Sequence, residues 1–348
     1  MNATMPLKVR HLQPSDHQRW DEYVSGHHTG SPFHLTAWKR CMEETFGYQP
    51  LYLLASQGEH IRGLVPLFLV SNLVVGQVLI SSPFAVYGGI LADNDSVRDA
   101  IASHVRGLAE QLNVQYVELR NTCEGQTCGY ARVDRYAGFA CELPRQQDEI
   151  LLSLPKKTRN MVRKALKYNF SVRRRVRRLD HFEEIYAKTM RRHGTPTFPM
   201  RYFRALLKYF GPVVDISEFW LEGKVVAASL NFHFRDRMHV YYAGSDPRYL
   251  SYAPNNFMYY DHLCWATENG HKIFDFGRSK VGTGAFEFKR SWGIEPNPLP
   301  YEIQLVRRET LPNYSPANPT FRLAIDVWRK LPLPVTRMMG PALVRLFP

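Results

Sequence analysis

The strongest constraint on the fold is an order of predicted elements that occurs twice. In the first half, alternating apolar residues and turn signals predict three strands, a helix and a fourth strand, at 51–56, 61–70, 73–80, 96–112 and 115–119. The second half repeats this order at 215–221, 225–234, 238–244, 254–269 and 273–276. Two copies of one unit in a single chain predict a duplicated domain.

Helices precede the strands in both halves. Trp38, Met42 and Phe46 recur every fourth residue and predict a helix over 36–46. A second helix is predicted to begin near Pro155, with Val162, Ala165 and Leu166 on its buried face. Helices, a meander, a helix and a strand predict an α+β fold with mixed sheets flanked by helices. The predicted segments are a first domain at 1–145, a second at 146–309, and a proline-rich amphipathic C-terminal tail at 310–348.

The charge balance favours an anionic partner. The chain of 348 residues carries a formal net charge of +13, and its five cysteines are odd in number and form no Cys-x-x-Cys pair. Neither a disulfide framework nor a zinc site is predicted, and we expect no bound metal. A phosphate-bearing substrate, RNA and an acidic membrane face each fit the charge.

The distribution of apolar residues predicts a cytoplasmic chain without an integral membrane segment. The N-terminal 20 residues lack an apolar stretch, and polar residues divide the most apolar run, 65–80, into strand-length pieces. In the tail, Phe321, Ile325 and Trp328 predict an amphipathic turn. This turn either docks on the protein or contacts the anionic inner face of a membrane peripherally.

Glycine-rich turns after a predicted strand mark the most informative motif. The run 274–279 reads Phe-Asp-Phe-Gly-Arg-Ser, and Lys289 follows between Phe288 and Trp292. Backbone can approach a ligand closely at glycines that follow strand ends. Asp275 either orients Lys289 and helps to deprotonate an amine, or caps the turn. Glycines in 86–90, Val-Tyr-Gly-Gly-Ile, predict instead a close backbone approach or a bulge.

A basic segment lies at the start of the second domain. Between Ile150 and Leu179 there is no acidic residue, and the basic residues are Lys156, Lys157, Arg159, Arg163, Lys164, Lys167, Arg173, Arg174, Arg175, Arg177 and Arg178. Helical spacing places Lys156, Arg159, Arg163 and Lys167 on one face, and an edge strand is predicted after Phe170. The segment is either a solvated surface or an anion-binding face for a phosphate-linked substrate, a donor or tRNA.

Several catalytic motifs are missing from the sequence. There is no Walker loop, GxGxxG, HExxH or GxSxG motif. The chemistry predicted for the chain is therefore transfer of an already activated group, which needs mainly positioning and electrostatic stabilisation.

The sequence resembles the FemAB family. The duplicated unit and the runs 154–159, 275–277 and 288–293 carry this resemblance, which spans about 33–306. It is closest to the branch associated with exosortase/PEP-CTERM exopolysaccharide clusters, through the segments 33–38 and 81–93. The resemblance implies two tandem GNAT-like domains and an N-acyl or aminoacyl transferase that forms an amide on an amine of a cell-envelope or exopolysaccharide precursor.

The resemblance also assigns site residues. The family's lysine falls on Lys289, and its aromatic-Gly/Ala-Ser segment falls on 242–245. We therefore predict three catalytic residues, Lys289, Asp275 and Tyr242. The predicted substrate contacts are Arg159, Arg163, Lys156, Ser245, Asn256, Arg278, Ser279, Trp38 and Lys39.

The resemblance implies an activated donor, acyl-CoA or aminoacyl-tRNA, and no tightly bound cofactor. A long helical arm is not evident, because glycine and prolines interrupt 179–210. The acyl-CoA pyrophosphate loop is not evident either, so the identity of the donor stays open. A rival hypothesis is a non-catalytic protein that binds RNA or another polyanion, or a scaffold of an exopolysaccharide system. The salt dependence of polyanion binding would distinguish it.

Overall fold

The computed structural model describes residues 5–123, 127–312 and 319–348. Its strands are β1 (Leu7–His11), β2 (Gln49–Pro50), β3 (Leu53–Gln57), β4 (His60–Val65), β5 (Leu67–Asn72), β6 (Gly76–Ser81), β7 (Leu91–Ala92), β8 (Tyr116–Arg120), β9 (Ala131–Val133), β10 (Tyr136–Glu142), β11 (Ser171–Val176), β12 (Val214–Leu221), β13 (Lys224–Phe234), β14 (Arg237–Ser245), β15 (Ile273–Lys280), β16 (Asn297–Pro298) and β17 (Tyr301–Leu305). Its α-helices are α1 (His17–Gly26), α2 (Thr36–Phe46), α3 (Asp95–Gln111), α4 (Gln147–Ser153), α5 (Lys156–Ala165), α6 (Asp180–His193), α7 (Met200–Phe210), α8 (Pro254–Glu268), α9 (Gly284–Arg290), α10 (Pro319–Lys330) and α11 (Leu333–Val344).

The chain divides into two compact units. Unit 1 comprises Met1–Arg135, Pro298–Asn313 and Arg345–Pro348, and unit 2 comprises Tyr136–Asn297 and Tyr314–Val344. Strand pairing explains how this division differs from the segments drawn from the sequence. β10 pairs with β15 of unit 2, and β17 pairs with β8 and β9 of unit 1. The chain thus leaves unit 1 and returns to it.

Unit 1 contains two sheets, with strand orders β1-β3-β4-β7 and β2-β5-β6-β8-β17-β9. The single strand predicted over 61–70 is wrong, because the chain divides at Pro66, and β4 and β5 enter different sheets. Proline has no N–H to donate to a ladder, which makes it a natural point of division. The strand predicted over 73–80 begins only at Gly76, since Asn72 Oδ1 accepts hydrogen bonds from the N–H groups of Val74 (2.8 Å) and Val75 (3.0 Å).

The core of unit 1 forms where α3 covers the strands. Asn94 caps the helix, its side chain accepting a hydrogen bond from the Val97 N–H at 3.0 Å. Val97, Ile101 and Val105 are buried and recur at helical spacing. The helix predicted over 96–112 is confirmed.

Unit 2 is built on one sheet with the order β11-β12-β13-β14-β15-β10-β16. β14 and β15 pair in parallel, while β11 to β14 and the β10–β15 pair are antiparallel. The predicted edge strand after Phe170 is confirmed as β11. The helices α6 and α8 pack against β13 and β14. Gly244 lies against Thr189 of α6, and Ser229 bonds His262 of α8 at 2.8 Å. Because Gly244 pairs with Ala228, one residue from Ser229, the two helices cover opposite faces of the sheet.

One prediction about α5 fails. Val162 and Ala165 are buried as predicted, but Leu166 is 45% exposed. The helix ends at Ala165, and Leu166 is its C-terminal cap rather than a member of the buried face.

The C-terminal tail is helical within residues 319–344. Gly194 of unit 2 lies against Ile325 of α10, and Gly340 of α11 lies against Thr197. Trp328 and Thr336 are buried. These contacts favour the docking alternative, with the predicted apolar positions Ile325 and Trp328 turned inward. The side chain of Phe321 and residues 313–318 lie outside the described part of the chain.

Within the ranges described, no helix combines the length and the apolar composition required to cross a bilayer.

Candidate functional site

Two parallel strands of unit 2 diverge in the middle of the sheet. β14 and β15 pair at Arg237–Ile273, Met238–Phe274 and His239–Asp275, and the ladder between them ends there although both strands continue. A bulge on the other edge of β14 sets Val240 opposite Asn231 and Tyr242 opposite Leu230, so that Tyr241 is the extra residue. Backbone groups beyond His239 and Asp275 therefore face an opening, as a site for developing charge requires.

Lys289 reaches this opening from α9. Thr283 caps the helix, its Oγ1 accepting a hydrogen bond from the Phe286 N–H at 3.3 Å. The side chain of Lys289 is buried, with 8% of the residue exposed, and Nζ donates to the Arg278 carbonyl at 2.9 Å. Burial lowers the pKa of Lys289 to about 7. The positive charge of Arg278 also lowers this pKa, whereas the negative charge of Asp275 raises it. Near neutral pH the residue is therefore present as both ammonium and amine.

Asp275 is fully buried beside this lysine. Its Oδ1 accepts the Gly277 N–H at 2.7 Å, and its Oδ2 accepts Arg237 Nη1 at 3.0 Å. Burial would raise the pKa of Asp275, but His239, Arg237 and the Gly277 N–H outweigh it and hold the pKa below its ordinary value. The carboxylate thus caps the turn at Gly277 and supplies a negative charge near Lys289, so that both roles considered from the sequence are compatible with its position.

Gly277 provides the space between the polar groups. Its φ of +74° belongs to the left-handed region. A Cβ at this position would lie 2.9 Å from His239 Nε2 and 3.8 Å from Lys289 Nζ. A side chain at position 277 is thus disfavoured by the left-handed conformation and by the close approach to His239, whereas the distance to Lys289 Nζ is an ordinary contact.

His239 and Arg237 are the residues that sequence reasoning missed. His239 is buried, and burial lowers its pKa to about 4, so the imidazole is neutral near pH 7. Both residues belong to β14, and it is the parallel register that places His239 opposite Asp275. Nothing in the local sequence reveals this register.

Tyr242 belongs to an aromatic cluster adjoining the opening. The Tyr241 ring lies 5.3 Å from His239 and 4.4 Å from Tyr242. The Tyr242 hydroxyl is 3.1 Å from that of Tyr202 on α7. Burial raises the pKa of Tyr242 well above its ordinary value, so it is a neutral hydrogen-bonding group.

The predicted substrate contacts are dispersed. Arg278 stacks over Tyr136 at 4.5 Å, while the buried Ser279 Oγ has no hydrogen-bond partner in the described residues. Ser245 is held by Thr189, whose Oγ1 accepts its N–H at 3.2 Å, and the half-buried Asn256 lies in the first turn of α8.

Two predicted contacts lie in unit 1 and are engaged structurally. Trp38 is fully buried and packs edge-on against Phe33 at 5.0 Å. Lys39 Nζ pairs with Glu43 at 3.0 Å. Their positions give them roles in packing α2.

The basic segment separates into two parts with different partners. On β11 and between β11 and α6, the arginines engage the protein: Arg173 stacks over Trp220, Arg174 pairs with Asp261, Arg177 donates to the carbonyls of Leu207 and Gly211, and Arg178 pairs with Asp180. On α5, Arg159 donates to the Leu152 carbonyl at 3.2 Å. The exposed cations Lys156, Lys157, Arg163, Lys164 and Lys167 have no acidic partner within the residues described.

Unit 1 contains a related opening that its own chain fills. β6 and β8 pair in parallel only at Leu79–Val117 and Ile80–Glu118. Beyond them, Arg120 donates to the carbonyls of Ser82 and Ala85, each at 3.2 Å. A Cβ on Gly89 would lie 2.8 Å from Asn121 Cα, which confirms the predicted close backbone approach in 86–90.

Unit 2 also contains a cavity of about 270 Å³, away from the opening between β14 and β15. It lies between α6 and the turn that joins β12 and β13. Asp246 in its wall accepts hydrogen bonds from Lys188 Nζ at 2.7 Å and Arg248 Nη2 at 2.8 Å. Asp246 thereby anchors the 3-10 segment at Pro247–Tyr252, and the negative charge of Asp246 is already matched by Lys188 and Arg248. Nowhere in 5–123, 127–312 or 319–348 do three His, Cys, Asp or Glu side chains converge as a metal site would require.

Comparison with known proteins defines the class of fold. Residues 155–290 match the family described as Acetyltransferase (GNAT) domain, and this range begins at α5 and ends one residue beyond Lys289. No curated protein has a sequence that matches this chain.

Solved structures extend the likeness to most of the chain. The crystal structure of FemX is 16% identical with a TM-score of 0.67, and 86% of this chain and 98% of FemX are covered. L-PGS from Bacillus licheniformis is 12% identical with a TM-score of 0.55 over 95% of this chain and 98% of its own. A tandem GNAT protein from the clavulanic acid biosynthesis pathway is 10% identical with a TM-score of 0.55, and 86% of this chain and 99% of that protein are covered. The protein therefore has tandem GNAT-like domains.

Proposed function

We propose that unit 2 is an N-acyl or aminoacyl transferase that acts at the opening between β14 and β15. The observation that carries this proposal is the buried Lys289, whose pKa is about 7, beside Asp275 and above the space left by Gly277. A structural lysine has no need of such a position, because burying an ammonium is costly. Perturbed lysines beside a charge partner are typical of catalytic sites.

The reaction forms an amide from an amine and an activated acyl donor. The amine nitrogen bonds to the donor carbonyl carbon, the bond from that carbon to the leaving sulfur or oxygen breaks, and the proton lost by the amine balances the charge on the leaving group. Lys289 as ammonium stabilises the carbonyl oxygen as it becomes negative. Asp275 holds Lys289 near the turn by charge and fixes Gly277.

The donor proposed first is acyl-CoA, because the matched family is described as an acetyltransferase. Aminoacyl-tRNA is the second donor to be tested. The acceptor proposed is an amine of a cell-envelope or exopolysaccharide precursor, as the resemblance to the PEP-CTERM-associated branch implies. Contacts of Lys156, Arg159 and Arg163 with a phosphate of the donor or acceptor stay predictions.

The polyanion-binding or scaffold hypothesis draws on the exposed cations of α5. It does not account for Lys289, which is buried in unit 2 and cannot serve a surface role.

The test is Lys289→Met, with Lys164→Met as the matched control on exposed α5. Both variants are assayed with acetyl-CoA, and with aminoacyl-tRNA, against a panel of amines including amino sugars. Turnover should fall about 100-fold or more in Lys289→Met, on the scale of losing one oxyanion donor, and stay unchanged in the control. Wild-type turnover in a Lys289→Met protein that melts normally would refute the catalytic assignment.

A further inference from the structure

A second surface of unit 2 combines cations, three of which are also predicted phosphate contacts, with exposed leucines that the proposed reaction does not use. We define the α5 surface as the exposed side chains of α5 and its flanks: Leu152, Lys156, Lys157, Arg159, Arg163, Lys164, Leu166 and Lys167. Arg159 is its least exposed member. Thr158, Val162 and Ala165 turn the opposite side of the helix into the core.

Helical geometry gathers the leucines and arginines on one flank of this surface. Arg159, Arg163 and Leu166 follow one another at spacings of four and three, which share a helix face. The hydrogen bond from Arg159 to the Leu152 carbonyl brings the end of α4 beside the same flank. A leucine therefore lies at each end of this flank, with the two arginines between them.

The leucines of this surface are accessible to solvent. Leu152 is 67% exposed and Leu166 is 45% exposed. The Tyr252 ring contacts Tyr168, just after α5, at 4.8 Å. Single exposed leucines are ordinary, but two beside a cationic helix form an interaction surface of defined chemistry.

The cations around the leucines are uncompensated. No acidic residue occurs between Ile150 and Leu179, and the α5 cations other than Arg159 project without an acidic partner in the described structure. Like charges packed along one helix repel each other, and a surface of negative charge relieves that repulsion.

We propose that the α5 surface binds an anionic phospholipid bilayer. The lysine and arginine head groups contact lipid phosphates, and Leu152 and Leu166 enter the headgroup–acyl boundary, as in interfacial amphipathic helices. A nucleic acid would satisfy the cations but would leave the leucines in water, and the surface offers no exposed aromatic shelf for bases. The unpaired cations and the exposed leucines together favour the bilayer.

This surface is connected to the candidate site within unit 2. Thr158 Oγ1 of α5 donates to the Ser291 carbonyl, and Gly293 packs against Pro155. Both contacts involve the residues that immediately follow α9, which holds Lys289. Nevertheless, the proposal does not depend on catalysis, and its test measures binding alone.

The experiment is co-sedimentation of the full chain with vesicles of phosphatidylcholine alone or mixed with phosphatidylglycerol, at low and high salt. Binding should require phosphatidylglycerol and weaken with salt. Arg163→Ala with Lys167→Ala should lower the partition coefficient about 25-fold, from about fivefold for each cation near an anionic surface. Leu152→Ser with Leu166→Ser should lower it further without changing the slope of binding against salt.

The matched control is Arg329→Ala with Lys330→Ala on α10, which removes equal charge from the C-terminal tail. It should keep binding within about twofold, since α10 lies outside the surface. Equal losses in both charge variants, or loss only in the α10 variant, would overturn the assignment to α5. Leucine variants that bind vesicles normally, or α5 variants that lose affinity for soluble coenzyme A instead of vesicles, would assign the surface to a soluble polyanion and also overturn it. Circular dichroism melting checks that all variants remain folded.

Discussion

At the scale of single residues, the burial of Lys289 has a consequence for stability. Its pKa is about 7 in the folded chain, against an ordinary value of 10.5. Between these values the unfolded chain binds a proton that the native protein does not, so stability rises with pH across this window. Below pH 7 the full cost of a buried ammonium is present, and it is relieved as the pH rises toward 10.

Urea unfolding of the wild type and Lys289→Met at pH 7, 8 and 9 tests this linkage. The methionine variant should be the more stable at pH 7, and its advantage should shrink as the pH rises. Lys164→Met reports the background of the same exchange at an exposed position. A Lys289→Met advantage that is constant or grows with pH would contradict the depressed pKa.

Substitution of Gly277 distinguishes the cost of backbone strain from the cost of steric crowding. Both Gly277 and Gly282 have positive φ, +74° and +77°, but a Cβ on Gly282 meets nothing within 4 Å. Gly282→Ala should therefore cost about 1 kcal/mol of unfolding free energy from strain alone. Gly277→Ala should cost more, and should reduce turnover, because its methyl group would lie 2.9 Å from His239 Nε2 and displace that imidazole. Equal costs for the two variants in urea titrations would show that the space at Gly277 is not restricted.

At the scale of elements, the two openings differ in what occupies them. In unit 1, Arg120 is buried with Nε 2.8 Å from Glu118, and it ties β8 to the segment after β6. In unit 2, Lys289 and a glycine turn occupy the equivalent point between diverging strands. The same sequence of elements thus yields one filled opening and one lined by titratable groups, which is why we assign chemistry to unit 2.

Arg120→Met tests the filled opening. Removing one member of a buried charge network costs about 3–5 kcal/mol, because Glu118 loses its partner and the carbonyls of Ser82, Ala85 and Pro348 lose a donor. Arg132→Met, at an exposed pair with Asp134, should cost about 0–1 kcal/mol. Both are measured by urea unfolding of the full chain, and a loss at Arg120 no larger than that at Arg132 would disprove the structural role.

At the scale of the whole molecule, unit 1 is discontinuous in sequence. β17 lies between β8 and β9 in the six-stranded sheet and pairs with both. A fragment of residues 1–135 should therefore fail to fold cooperatively, since it exposes the edge of β8 and leaves β9 without its neighbour. The same fragment joined to 298–312 by a flexible linker should recover a sigmoidal thermal transition by circular dichroism. Cooperative melting of 1–135 alone would show that β17 is dispensable.

The sequence by itself determined most of the helices and strands of the repeated unit, and the duplication. Periodicity predicted α2 over 36–46 because this helix buries one face within a single segment, so local spacing carries the signal. The sequence also singled out Lys289 and Asp275, since a strand that ends in glycine-rich turns is a local pattern. The division at Pro66 could in principle be predicted, because proline interrupts the hydrogen-bond ladder of a strand. Which sheet β4 and β5 each join could not be predicted from the sequence.

Only the tertiary structure decided which residues meet. His239 and Asp275 are 36 positions apart by their numbers in the sequence, and the parallel register of β14 and β15 places them opposite each other. Leu166 faces solvent because α5 ends one residue earlier, and β17 returns to unit 1 because β8 and β9 lack a neighbour without it. These outcomes depend on pairing between distant segments, whose free energy comes from contacts that no local window contains.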